Sequence, residues 1–139
     1  MKFATLAALS SLALSVAACQ SEAEKQADAM EDTVERQADA SAAASGDAQV
    51  ALGLTERQLL DADLVTADGT ELGDVAQVRR SGSTVEGLLV EIEDSNPDRY
   101  VMVPLAGLST RADGNDTDVQ TSMTAAQLAA LPTATLATN

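Results

Sequence analysis

The chain has 139 residues, 45% of them hydrophobic, with 22 acidic side chains against 8 basic ones, no His, no Trp and one Cys. That length holds one small domain. A formal charge of −14 argues against nucleic-acid binding, which needs Lys and Arg to displace counterions from phosphates, and equally against acidic lipid headgroups.

Met1-Lys2 supplies a positive charge, and residues 3–16 then run uncharged through Ala, Leu, Ser and Thr. This is the pattern of an export signal, too short for a bilayer crossing of roughly 20 apolar residues. It ends at Val16-Ala17-Ala18-Cys19, with the single Cys at the last place. These four residues resemble the lipobox of bacterial lipoproteins, with Val16 where that family more often has Leu. The resemblance implies cleavage between Ala18 and Cys19 and acyl chains on Cys19, enough for stable membrane anchoring. Gln20, rather than Asp, follows the Cys; by that family's sorting rule this implies the periplasmic face of the outer membrane. The mature chain then has no internal disulfide, so its stability comes from packing.

Residues 20–50 are rich in Ala, Glu, Asp, Gln and Ser, with 8 acids against Lys25 and Arg36. Such a segment buries no core alone, although its first two-thirds favour helix. Ala23, Ala27, Met30 and Val34 form one narrow stripe. The run Glu24-Lys25-Gln26-Ala27-Asp28-Ala29 echoes 11 residues later as Glu35-Arg36-Gln37-Ala38-Asp39-Ala40. Two copies of a helical period fall short of a coiled-coil signature. We expect a partly helical or disordered acidic tether, flexible over residues 41–48, with self-association through 20–50 as its alternative role.

From residue 51 the pattern changes to short runs of Val, Leu and Ile separated by Gly, Asp, Asn and Pro, which predicts a small all-β barrel or sandwich with short flanking helices. Thr55-Glu56-Arg57-Gln58 is a capping box opening a helical turn. Strands are expected at residues 62–66, 72–79, 85–92, 99–105 and 119–122. Asp68-Gly69 marks a tight hairpin turn. Leu88-Leu89-Val90 is apolar on both faces and marks the most buried strand. Residues 94–98 and 113–118 read as polar loops. Thr124-Ala125-Ala126-Gln127 opens a second capped helix that stops before Pro132, followed by a frayed tail. Residues 51–139 contain 24 Val, Leu, Ile and Met residues, enough for a core despite one aromatic, Tyr100.

The stretch from Leu59 to Val75, with Asp68-Gly69-Thr70-Glu71-Leu72-Gly73-Asp74-Val75 at its end, resembles the opening hairpin of the PRC-barrel domain. Val101-Met102-Val103-Pro104-Leu105 is similar to that family's strand ending in V-P, and residues 124–132 to its closing helix. The resemblance covers residues 55–133. It implies a small barrel that docks proteins in assemblies, and it carries no catalytic residues and no cofactor to this chain.

The remaining chemistry is sparse. Without His, and with the chain's only lysines, Lys2 and Lys25, both outside residues 51–139, the domain lacks the usual bases that activate nucleophiles. Glu91 and Glu93 are spaced to share a strand face, the basis of an unfavoured hydrolase reading. Residues 113–118 lack the Gly and the bidentate Glu of an EF-hand loop, and Asp61, Asp63 and Asp68 read as solvated turn residues, so no metal site is expected. Arg79-Arg80 is the only adjacent basic pair, against 14 acids and 5 arginines over residues 51–139; it reads first as a solubilising strand end and alternatively as a candidate docking contact for an acidic partner. The expectation is a non-catalytic, lipid-anchored periplasmic docking module with a protein partner.

Overall fold

The computed structural model describes residues 21–136; Ala18 and Cys19, with the whole export signal, lie outside the described residues. Within them, α1 (Glu22–Ser45) leads into a small hairpin of β1 (Gln49–Ala51) and β2 (Leu54–Thr55). The short α2 (Glu56–Leu60) follows. Then come β3 (Asp63–Val65), β4 (Glu71–Ser81), β5 (Thr84–Ile92), β6 (Tyr100–Pro104), β7 (Ser109–Asp113), β8 (Asp116–Gln120) and α3 (Ala125–Ala129).

Six strands form one mixed sheet in the order β6-β5-β4-β3-β8-β7, antiparallel except where β3 runs parallel to β8. The fold is thus a small, mainly β domain with short helices, but the sheet is open, not the closed barrel expected. The reason is visible at its edges. The C-terminal segment takes up the outer side of β6, where Ala134 N–H donates to the Tyr100 carbonyl at 2.8 Å and Thr133 bridges to Val101. Arg99 pins the same segment, donating through Nη1 to the Ala129 carbonyl at 2.7 Å and also to the Leu131 carbonyl. The tail expected to fray is therefore tied down through residue 134, and Leu136 packs against a buried cluster.

The sheet curls around a core built from Leu59, Leu64, Leu72, Val75, Val78, Leu88, Val90, Val101, Val103, Val119 and Leu128, with α2 and α3 covering it. Both short helices start where their capping boxes predict. Thr55 and Thr124 each accept a hydrogen bond from the backbone N–H three residues on, and Gln58 and Gln127 reciprocate. Strands β3 to β6 fall where the hydrophobic runs place them. Gly73 is fixed by proximity: a Cβ there would lie 1.9 Å from the Glu91 carbonyl oxygen, so β4 and β5 can approach only without a side chain.

Three local expectations fail for identifiable reasons. Residues 113–118 are not a loop but the turn and flanks of the β7–β8 hairpin, with Gly114 at φ +57° supplying the left-handed residue. The sequence conceals β7 because Ser-Thr-Arg-Ala-Asp is an exposed edge with no apolar face to alternate. The Asp68-Gly69 turn spans five residues rather than two, closed by Thr66 N–H donating to the Thr70 carbonyl at 2.8 Å. The third and largest difference is α1.

Residues 22–45, expected to be a partly helical or disordered tether, form one continuous helix that lies on the sheet. It starts at Ser21, whose side chain accepts from Glu24 N–H at 3.2 Å while the Glu24 carboxylate accepts from Ser21 N–H at 2.6 Å. It ends at Gly46, with φ +57° and its N–H bonded to the Ala42 carbonyl at 3.0 Å. Residues 41–45, expected to be flexible, are its last turn, and Ala42 is buried. The apolar stripe ending at Met30 and Val34 continues through Ala38 and Ala42, and its C-terminal half is the part that docks.

Candidate functional site

Side chains four apart stack along one face of a helix, and α1 uses this to present three parallel rows to the domain. Val34, Ala38 and Ala42 form the central row, buried against the sheet. Val34 packs with Leu89 and Tyr100 in a second, small apolar cluster on the face of β5 and β6 away from the main core.

Gln37, Ser41 and Ser45 form the polar row. Gln77 Nε2 on β4 donates to Gln37 Oε1 at 3.4 Å. At the helix end, Ser45 Oγ donates to Glu56 Oε2 at 2.5 Å, and Arg80 Nη2 donates to the same carboxylate oxygen at 2.6 Å and to Ser45 Oγ at 3.1 Å. Glu56 is wholly buried, and its ion pair with Arg80 therefore joins α1, α2 and β4 at one point. Burial alone would raise the Glu56 carboxyl; hydrogen bonds from Ser41, Ser45 and Arg80, with the Arg80 charge, outweigh it and hold the group below the usual carboxylate range.

Glu31, Glu35 and Asp39 form the acidic row. They line one side of a cleft of about 480 Å³ whose other wall carries Asp61, Asp74, Glu91 and Tyr100. Burial pushes the Glu31 and Glu91 carboxyls up, and the charge of Asp98 adds to both. The Tyr100 hydroxyl donates to Glu91, and burial together with that carboxylate raises the phenol strongly. Glu91 therefore sits in the cleft with Tyr100, whereas Glu93, beyond the end of β5, lies beside Glu71. Across the β3–β4 hairpin, carboxylate oxygens of Asp63, Glu71 and Asp74 come within 4.8 Å of one another. Their donor type suits a hard cation, but Glu71 and Asp74 are exposed, and acidic groups gather this way on surfaces without an ion.

The arginine pair is brought to one groove and given two different tasks. Arg79 and Arg80 line a shallow groove of about 500 Å³ with Gln77, Glu86, Met102 and Thr135. Arg80 is committed to Glu56. Arg79 donates through Nη1 to the neutral Gln77 Oε1 at 2.7 Å, keeping its charge unneutralised by that contact. Arg79 also borders a second groove, of about 310 Å³, formed with Ala29, Met30, Val34 and Leu136 on the other flank of α1. Met30, 41% exposed, is the most open large apolar side chain among the described residues. Sequence reasoning found both arginines but missed Glu56 as Arg80's partner, because the two come together only when α2 folds onto β4.

Among the described residues no helix is long and apolar enough to cross a membrane. Comparison with protein-family models, curated proteins and solved structures finds no match to this chain.

Proposed function

We propose that this protein is a lipid-anchored, non-catalytic docking module of the bacterial envelope. Acyl chains on Cys19 hold it at the periplasmic face of the outer membrane, and its PRC-barrel-like domain engages a protein partner. The reading rests on the lipobox-like Val16-Ala17-Ala18-Cys19, on the order of the hairpin, strand and helix motifs over residues 55–133, and above all on Arg79. In a chain of net charge −14, a half-buried guanidinium facing a neutral amide stands where two grooves meet. A partner that offers a carboxylate beside an apolar side chain fits that place, with Met102 and Met30 as adaptable apolar contacts.

The test is in-cell photocrosslinking from position 102 in the full-length protein. One recurrent protein partner is expected, lost on Arg79→Glu, while Cys19→Ser releases the protein from the membrane fraction. A partner that persists with Arg79→Glu overturns the docking site, and membrane retention of Cys19→Ser overturns the anchor. Self-crosslinks alone would instead support self-association through α1, which the exposure of Met30 favours.

A further inference from the structure

The same helix is fastened and repelled by different parts of the domain. At its C-terminal end the Ser45–Glu56–Arg80 cluster is buried and charge-assisted. Along its middle, Glu31, Glu35 and Asp39 face Asp61, Asp74 and Glu91 across the cleft, with Asp98 close enough to raise both Glu31 and Glu91. Glu35, Asp39, Asp61 and Asp74 are exposed and repel through solvent, whereas Glu31 and Glu91 are partly buried, where like charges repel more strongly than in open water. Apolar packing opposes this only weakly. Two of the three side chains in the buried row are Ala, and clefts of about 480 Å³ and 310 Å³ open on either flank of the helix.

We propose that α1 is a releasable strap, clasped at its C-terminal end by Glu56 and Arg80 and pushed off the sheet along its middle by facing carboxylates, so that it docks more tightly as ionic strength rises. Release begins at the N-terminal half of the helix, where no residue before Val34 is buried, and stops at the clasp. Salt screens the repulsion across the open cleft but has little access to the clasp, since exposed charges lose their interaction beyond the Debye length and buried pairs are much less screened.

One consequence rests on the Cys19 anchor proposed above. Docked, the helix spans about 36 Å at about 1.5 Å per residue; released and extended, the same 24 residues reach about 80 Å at about 3.3 Å each. Ionic conditions would then set how far the domain stands from the membrane. The strap itself is tested without the anchor, so the two ideas fail separately.

The experiment is amide hydrogen exchange on the full chain carrying Cys19→Ser, at 10 mM and at 1 M NaCl, where the Debye length falls from about 30 Å to about 3 Å. Exchange at residues 31–42 is expected to slow about tenfold at high salt, the change that about 1.4 kcal/mol of relieved repulsion produces. Residues 88–90 of β5, common to both layers, report any general effect of salt. The triple variant Glu31→Gln, Glu35→Gln, Asp39→Asn is expected to exchange slowly at both salt concentrations. Glu56→Gln, which weakens the clasp, should exchange faster at both while keeping the salt slope. Exchange in α1 that is independent of salt, that quickens with salt, or that follows residues 88–90 overturns the strap, as does an unchanged salt slope in the triple variant.

Discussion

The two faces of the β4–β5 pair are built from one sheet and covered in opposite ways. On the core face, Leu72, Val75, Val78, Leu88 and Val90 meet the side chains of α2, α3 and the neighbouring strands in a continuous buried cluster. On the other, Leu89 packs with Tyr100 and with Val34 of α1, flanked by Ala76, Ala134 and Leu136, while the rest of the buried helix row is Ala38 and Ala42, with polar and acidic rows on either side. The difference is one of side-chain size. Packing energy scales with the apolar area removed from water, at roughly 25 cal/mol per Å², so an Ala-rich row yields a cover that adheres without interlocking. A domain can thus have a firm layer and a detachable one on a single sheet.

Side-chain truncations on the two faces should differ in how far their effect spreads. Leu88, fully buried in the core, should lose about 2–5 kcal/mol of global stability as Leu88→Ala, seen as a lower urea midpoint for every probe at once. Val34→Ala, on the detachable face, should cost roughly 1–2 kcal/mol. Its effect should be confined to exchange in α1, with the sheet's unfolding midpoint nearly unchanged. Equal global losses from the two substitutions would show that α1 and the sheet unfold as one unit.

Much of the firm layer is legible in the sequence because each signal is local. The capping boxes at Thr55 and Thr124, the apolar run at residues 84–92 and the alternation around Leu72 and Val75 each specify an element without knowledge of the rest. The detachable layer is legible only in retrospect. Leu88-Leu89-Val90, apolar on both faces, requires a second cover, and Val34 of the row Val34-Ala38-Ala42 supplies part of it beside Tyr100 and Leu136. What hides this is composition: the high density of Ala, Glu and Gln that lets residues 22–45 form a helix also makes them read as a solvated spacer. Glu56 is concealed differently. As the first residue of a capped helix it reads as a favourable partner for the helix dipole, and nothing in the local sequence shows that Arg80, 24 residues on, will bury it.

The dependence of stability on pH separates the two kinds of electrostatics, through shifts smaller than those of the truncations. Glu31, Glu91, Asp63 and Asp118 are raised first by burial, and Glu71 first by the charge of Asp63. These groups bind protons in the folded state at a pH where the unfolded chain, with carboxyls near 3.9–4.3, has released them. Stability therefore rises as pH falls from neutrality into the upper carboxylate range. Glu56 has the opposite sign: its carboxyl is held low, so its contribution is present above the unfolded value and is lost as pH falls through the folded one. The two together place the stability maximum on the acid side of neutrality, within the carboxylate range, with a decline at lower pH as the clasp protonates. Thermal melts from pH 3 to 8 at constant ionic strength measure it. Glu56→Gln should flatten the acid limb and leave the rise from neutrality intact; Glu31→Gln, which removes one of the raised carboxyls, should shrink that rise and leave the acid limb in place. A rise from neutrality that is unchanged in Glu31→Gln would mean that the facing carboxylates do not repel across the cleft, and the acidic row would then be a solvated helix face with no bearing on how α1 is held.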